Sequence, residues 1–104
     1  MTTSSAVRHI VMFDFSSLPK DQIRELVSGF VALKAGPEVL EFEWGTEANA
    51  EDSALGFTHC FVLTFQDFSA RGRYLHSTAH REYEKEVMKY RSKVLVFDYQ
   101  MEKP

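Results

Sequence analysis

Imidazole titrates near neutral pH, so the four histidines are the residues of this chain best suited to moving protons. His9 opens the apolar run Ile10-Val11-Met12-Phe13. His59 interrupts a second run, Phe57-Thr58-His59-Cys60-Phe61-Val62-Leu63. His76 and His80 flank Ser77-Thr78-Ala79. Histidine is not a favoured residue inside strands. Two in strand-like runs and one opening a helix point to a shared polar spot within an apolar cavity. Three converging imidazoles would make an acid–base site. Zinc also takes three histidines, but no His-x-His or His-Glu-x-x-His spacing occurs, and a helix is expected to start between His76 and His80. We therefore expect no metal and no cofactor. Cys60 is the only cysteine, which excludes an intrachain disulfide and a cysteine metal cluster. Strand alternation turns it away from His59, against a Cys–His nucleophile.

The elements that must position these residues follow from periodicity. Residues 1–6 are polar and expected to be disordered. Val7 to Phe15 alternates as a strand, with His9, Val11, Phe13 and Phe15 on one face and Arg8, Ile10, Met12 and Asp14 on the other. Ser16, Ser17 or Asp21 is expected to cap a helix carrying Ile23, Leu26, Val27, Phe30 and Val31, which Ala35-Gly36-Pro37 ends. Val39 to Gly45 reads as a strand with Leu40, Phe42 and Trp44 on one face. Thr46 to Ala54 reads as an exposed loop. Phe57 to Phe65 is the most strand-like run, with His59, Phe61, Leu63 and Phe65 together. Asp67 to Leu75 is a short helix, and Ser77 or Thr78 caps another with an Ala79, Tyr83, Val87, Tyr90 stripe. Lys93 to Met101 returns to strand, Val94, Val96 and Asp98 alternating with Leu95, Phe97 and Tyr99, and 101–104 form a tail.

The order β-α-β-β-α-β is the ferredoxin-like arrangement of the α+β class. It predicts a four-stranded antiparallel sheet with its helices on one face. The other face would expose more large apolar residues than a monomer tolerates, so a homodimer packed sheet to sheet is expected. The 104 residues form one domain, with 44% hydrophobic residues. A net charge of −3 with scattered Lys and Arg argues against nucleic acid. No apolar run is long enough to span a bilayer, and Met1-Thr2-Thr3-Ser4-Ser5 lacks the pattern of a signal peptide. A lone thiol fits a reducing compartment, and the cytoplasm is the expected location.

Several motifs then coincide with one family. Arg8-His9-Ile10-Val11, Phe42-Glu43-Trp44-Gly45, Gly56-Phe57-Thr58-His59, Tyr74-Leu75 with Ala79-His80, and Val94-Leu95-Val96-Phe97-Asp98-Tyr99 together resemble the stress-responsive A/B barrel domain family, over residues 7–100. The resemblance implies a dimeric α+β barrel. Many members are known mainly as stress-induced proteins. One plant member, olivetolic acid cyclase, closes a polyketide chain by aldol condensation without metal or organic cofactor. Its base is the last histidine of a Tyr-Leu-x-His-Pro-x-His segment. Here that segment reads Tyr74-Leu75-His76-Ser77-Thr78-Ala79-His80. The resemblance therefore implies His80 as base and Tyr74 as helper, with His59 and His9 as the other pocket histidines. Ser77 and Thr78 depart from the pattern, and Phe30 stands where the cyclase has a tyrosine, which removes a hydroxyl from the pocket wall.

The sequence thus supports a cofactor-independent cyclase-like or lyase-like enzyme acting on an apolar carbonyl compound. His80, Tyr74 and His59 are its catalytic candidates. His9, Phe30, Phe61, Leu63 and Trp44 are its ligand-binding candidates. A non-catalytic, stress-associated structural or ligand-binding dimer stays open, as does a cofactor-free oxygenase of the related dimeric barrel group. In those readings His80 caps its helix, His9 and His59 are satisfied core histidines, and Trp44 is packing. His76 is expected at the surface.

Overall fold

Strict alternation in β1 (Val7–Phe13) buries Val7, His9, Val11 and Phe13 and leaves Arg8, Ile10 and Met12 half-buried on the opposite face. The computed structural model describes residues 6–49 and 51–102. Most of the N-terminal segment expected to be disordered, and residues 103–104 of the tail, lie outside that range. β2 (Glu41–Thr46), β3 (His59–Phe65) and β4 (Val94–Gln100) complete one antiparallel sheet in the order β2-β3-β1-β4. This is the ferredoxin-like topology. Both strands β2 and β3 start two residues later than alternation predicts. Val39 is held in a turn to the Gly36 carbonyl, and Phe57 to that of Ala54.

Three helices cover one face of the sheet: α1 (Lys20–Ala32, continued by a 3-10 turn to Ala35), α2 (Phe68–Leu75) and α3 (Thr78–Met88). The side-chain cap expected for α1 is not made. Pro19 occupies that position, and Ser16 instead bonds Asp14. The Asp67 carboxylate caps α2 by accepting from the Ala70 amide, and the Ser77 hydroxyl caps α3 by accepting from the His80 amide. The Ser77 cap starts α3 anew two residues after α2 ends, and this bend aims His80.

The core lies between helices and sheet. Phe61 is its centre, fully buried, with its ring stacked on Phe30 at 4.1 Å. Burial of one such side chain contributes about 1.5–3 kcal/mol. Phe15, Leu26, Leu63 and Phe65 pack around it. Ala79 does not join the α3 stripe. It is exposed, and His80 takes the inward place beside Tyr83 and Val87. A helix positioned by Ser77 turns residue 80, not 79, toward the sheet. The opposite sheet face has no cover and exposes Leu95, Phe97 and Tyr99. No helix of the described residues is long and apolar enough to cross a membrane.

Candidate active site

The helices stop short of β4, and a cavity of about 410 Å3 opens there between α3 and the sheet. Val11 and Phe13 of β1, Val94 and Val96 of β4, and Phe30 and Val87 give it apolar walls. His9, Arg71, His80 and Glu84 supply the polar groups. An apolar cleft with a few convergent polar groups is the usual form of a small-molecule site.

His80 is half-buried on the first turn of α3. Its Nδ1 lies 3.1 Å from the Leu75 carbonyl oxygen. A carbonyl only accepts, so neutral His80 carries its proton on Nδ1 and keeps the lone pair on Nε2. Burial pulls its pKa below the usual imidazole value. Glu84 and the Leu75 carbonyl pull it back up, and His9 pushes it down again. The net shift favours the neutral, proton-accepting ring.

Tyr74 is the last fully buried residue of α2. Its ring stands between the two imidazoles, 4.9 Å from that of His80 and 6.0 Å from that of His9. Its hydroxyl is buried and has no hydrogen-bond partner among the described residues. Burial raises its pKa far above the usual phenol value, so it stays protonated and can only be stabilised as a donor or acceptor to something brought to it. Tyr83 is held differently: its hydroxyl donates to the Leu26 carbonyl at 2.8 Å.

His9 is buried in β1 and requires a partner. Strand register supplies it. His9 and Asp98 face each other across the β1–β4 ladder, and His9 Nδ1 lies 2.6 Å from Asp98 Oδ1. Arg71 from α2 donates to the other carboxylate oxygen at 3.2 Å.

The structure therefore gathers His80, His9 and Phe30 on one cavity wall, with Tyr74 buried behind it in ring contact with both imidazoles. It does not bring His59 there. His59 lies on β3 opposite Phe13, at the other end of β1 from His9, with its Nδ1 2.8 Å from the Thr58 hydroxyl and its ring against Phe15 and Trp44. It lines a separate cavity of about 430 Å3 with Leu55, Phe57 and Met12. Phe61 and Leu63 are fully buried behind the wall, and Trp44 lies on β2 away from the cavity, 43% exposed. His76 is exposed, with its Nδ1 on the Gly72 carbonyl. Cys60 is half-buried, and its thiol pKa is raised by burial and by Glu43, which keeps it protonated. Among the described residues no group of three or more His, Cys, Asp or Glu is placed to hold a metal ion.

Arg71, Asp98, Glu84 and Ser92 escaped the sequence reading. Asp98 did leave a signal, as a charge on the same strand face as Val94 and Val96. Glu84 lies four residues beyond His80, at helical spacing. Arg71 and Ser92 left none.

The sequence pattern of the stress-responsive A/B barrel domain matches residues 7–101, nearly the whole chain. This protein belongs to that family. A stress-response A/B barrel domain-containing protein of Arabidopsis thaliana, HS1, is 32% identical over 95 residues, which cover 89% of this chain and 87% of the relative. Among solved structures, a hydroxynitrile lyase from Passiflora edulis superposes with a TM-score of 0.88 at 30% identity, covering 98% of each chain. A dimeric ferredoxin-like protein of unknown function from Thermobifida fusca has a TM-score of 0.79 at 16% identity, covering 97% of this chain and 95% of its own, which is a likeness of fold alone. The proteins this chain resembles thus include one named as a lyase and one named for stress response.

Proposed function

We propose that this A/B barrel protein is a cofactor-independent acid–base enzyme of the lyase type, in which His80 takes a proton from an apolar carbonyl compound or its adduct. The observation that carries the reading is the His80 ring. Its Nδ1 is tied to the Leu75 carbonyl, and the ring stands on the wall of an apolar cavity. A general base needs a neutral form at working pH and reach to its proton, and burial favours that form here.

The same base step serves two reactions. In a ring closure, His80 takes a proton from a carbon beside a carbonyl, and the carbanion attacks a second carbonyl to form the C–C bond. In cyanohydrin cleavage, it takes the hydroxyl proton. The C–C bond then breaks to leave an aldehyde or ketone, and the departing cyanide takes up a proton. Tyr74, protonated and unpartnered, is suited to steady the oxygen that gains charge. The likeness to the Passiflora enzyme supports the second reaction. Phe30 in the cavity wall makes recognition depend on shape and apolar contact.

We propose further that two copies pack through the uncovered sheet face. Phe97 is 58% exposed there beside Leu95 and Tyr99, and several solved neighbours are described as dimeric. A single cysteine suits a reducing compartment such as the cytoplasm. One observation favours a passive ligand-binding role instead: each of the four histidines has its Nδ1 bonded within the fold, as packing alone would require.

Mandelonitrile, an aromatic cyanohydrin, separates the readings. Benzaldehyde release is followed by absorbance for the wild type and for His80→Gln. General-base loss should slow turnover about 100-fold or more. Turnover that His80→Gln leaves unchanged, or none in the wild type, overturns the acid–base reading.

A further inference from the structure

The acid–base reading uses His80 and Tyr74 and leaves a buried ionic chain unexplained. His9 is 3% exposed, and Asp98 is 22% exposed beside it at 2.6 Å. Arg71 meets the second oxygen of Asp98 at 3.2 Å. Its guanidinium also lies over the Phe68 ring, at 5.5 Å from the centroid. One hydrogen-bond partner would satisfy a histidine needed only for packing. A partly buried carboxylate held by its own arginine is a costlier arrangement, and it fixes the orientation of the ring.

We propose that Asp98 and Arg71 are positioning residues for this site. Asp98 holds His9 with Nδ1 as donor, Arg71 holds Asp98, and His9 Nε2 thereby meets the cavity as a proton acceptor opposite His80. The inference rests on the acid–base reading. Carboxylate oxygens only accept, so a neutral His9 bonded to Asp98 carries its proton on Nδ1. A proton received at Nε2 leaves both ring nitrogens as donors, with Nδ1 already paired to Asp98. His9 and His80 both line the cavity. One ring accepts while the other, once charged, returns a proton to the departing group.

Arginine has donors only, and this makes the proposal testable. In Asp98→Asn, Arg71 claims the carboxamide oxygen. The carboxamide nitrogen then faces His9 Nδ1 as a donor and forces the proton of His9 onto Nε2. Removing Arg71 as well lets the carboxamide turn over and accept from Nδ1 again.

The experiment is long-range 1H–15N correlation of the imidazoles in the full chain at pH 8, paired with mandelonitrile kinetics. Wild type is expected with His9 protonated on Nδ1. Asp98→Asn is expected protonated on Nε2, with kcat reduced about 10- to 100-fold and KM within twofold. Asp98→Asn with Arg71→Met is expected to restore the Nδ1 proton and to recover part of the kcat. A wild-type His9 protonated on Nε2 overturns the proposal without any variant. So does a tautomer unmoved by Asp98→Asn, or a single variant with wild-type kcat. If the wild type does not turn over mandelonitrile, the acid–base reading fails by itself, and the tautomers decide the positioning.

Discussion

Gly29 sits within α1, where alanine is ordinarily about 1 kcal/mol more favourable than glycine. A helix scale therefore expects Gly29→Ala to stabilise the protein. The structure predicts the reverse. A Cβ at position 29 would stand 3.1 Å from Tyr83 Cε1 and 3.2 Å from Cδ1. The ring must give by a few tenths of an ångström. It is pinned on two sides: its hydroxyl donates to the Leu26 carbonyl at 2.8 Å, and Phe30 packs against it edge-on at 5.3 Å. Overpacking of this kind costs about 1–3 kcal/mol. With about 2 kcal/mol for the collision and about 1 kcal/mol returned by propensity, the net loss is about 1 kcal/mol. In a domain of this size that lowers the melting temperature by about 5 °C. Urea unfolding of a double-mutant cycle isolates the cause. In a Tyr83→Ala background, Gly29→Ala should stabilise by about 1 kcal/mol, a coupling of about 2 kcal/mol. A stabilising Gly29→Ala in the wild type, or coupling below about 0.5 kcal/mol, would refute the reasoning. Tyr83 also walls the cavity, so the cycle measures how rigid that wall is.

Two further outcomes are expected. His80 titrates below the ordinary imidazole range because burial opposes its charge. Turnover should decline as pH falls and His80 takes up its proton, with a midpoint below that of an ordinary imidazole. A His80 proton resonance whose midpoint lies above the usual value contradicts this. Phe97→Lys, on the uncovered sheet face, should leave the monomer's stability within about 0.5 kcal/mol. It should halve the sedimenting mass, and a wild type that already sediments as a monomer refutes the dimer.

Much of the fold was legible because its signals are local. Alternation in Val7–Phe13 depends only on neighbouring residues. So do the helical spacing of Leu26 and Phe30, the Asp67 and Ser77 caps, and the element order that names the topology. His80 and Tyr74 were singled out through the family segment, and their closeness is local as well. They lie six residues apart, and one bend between two capped helices brings their rings together. Ala79 shows the limit of local reading. An apolar residue and a polar neighbour compete for the inward place, and only the angle set by Ser77 decides between them.

Residue type and spacing alone thus determined the ferredoxin-like order and the exposed sheet face, while the resemblance to the family singled out His80 as the candidate base. Tertiary structure decided which histidines share a cavity. His59 has the strand parity of a pocket residue, but parity fixes a face and not a position along it. The β1–β3 register sets His59 opposite Phe13 while His9 stands opposite Leu63, so His59 reaches a different cavity. The His9–Asp98 pair spans 89 residues, and Arg71 reaches it from a helix between them in sequence. No local pattern encodes such a contact. It exists because the β1–β4 ladder sets one residue opposite another, and a buried imidazole there requires a partner.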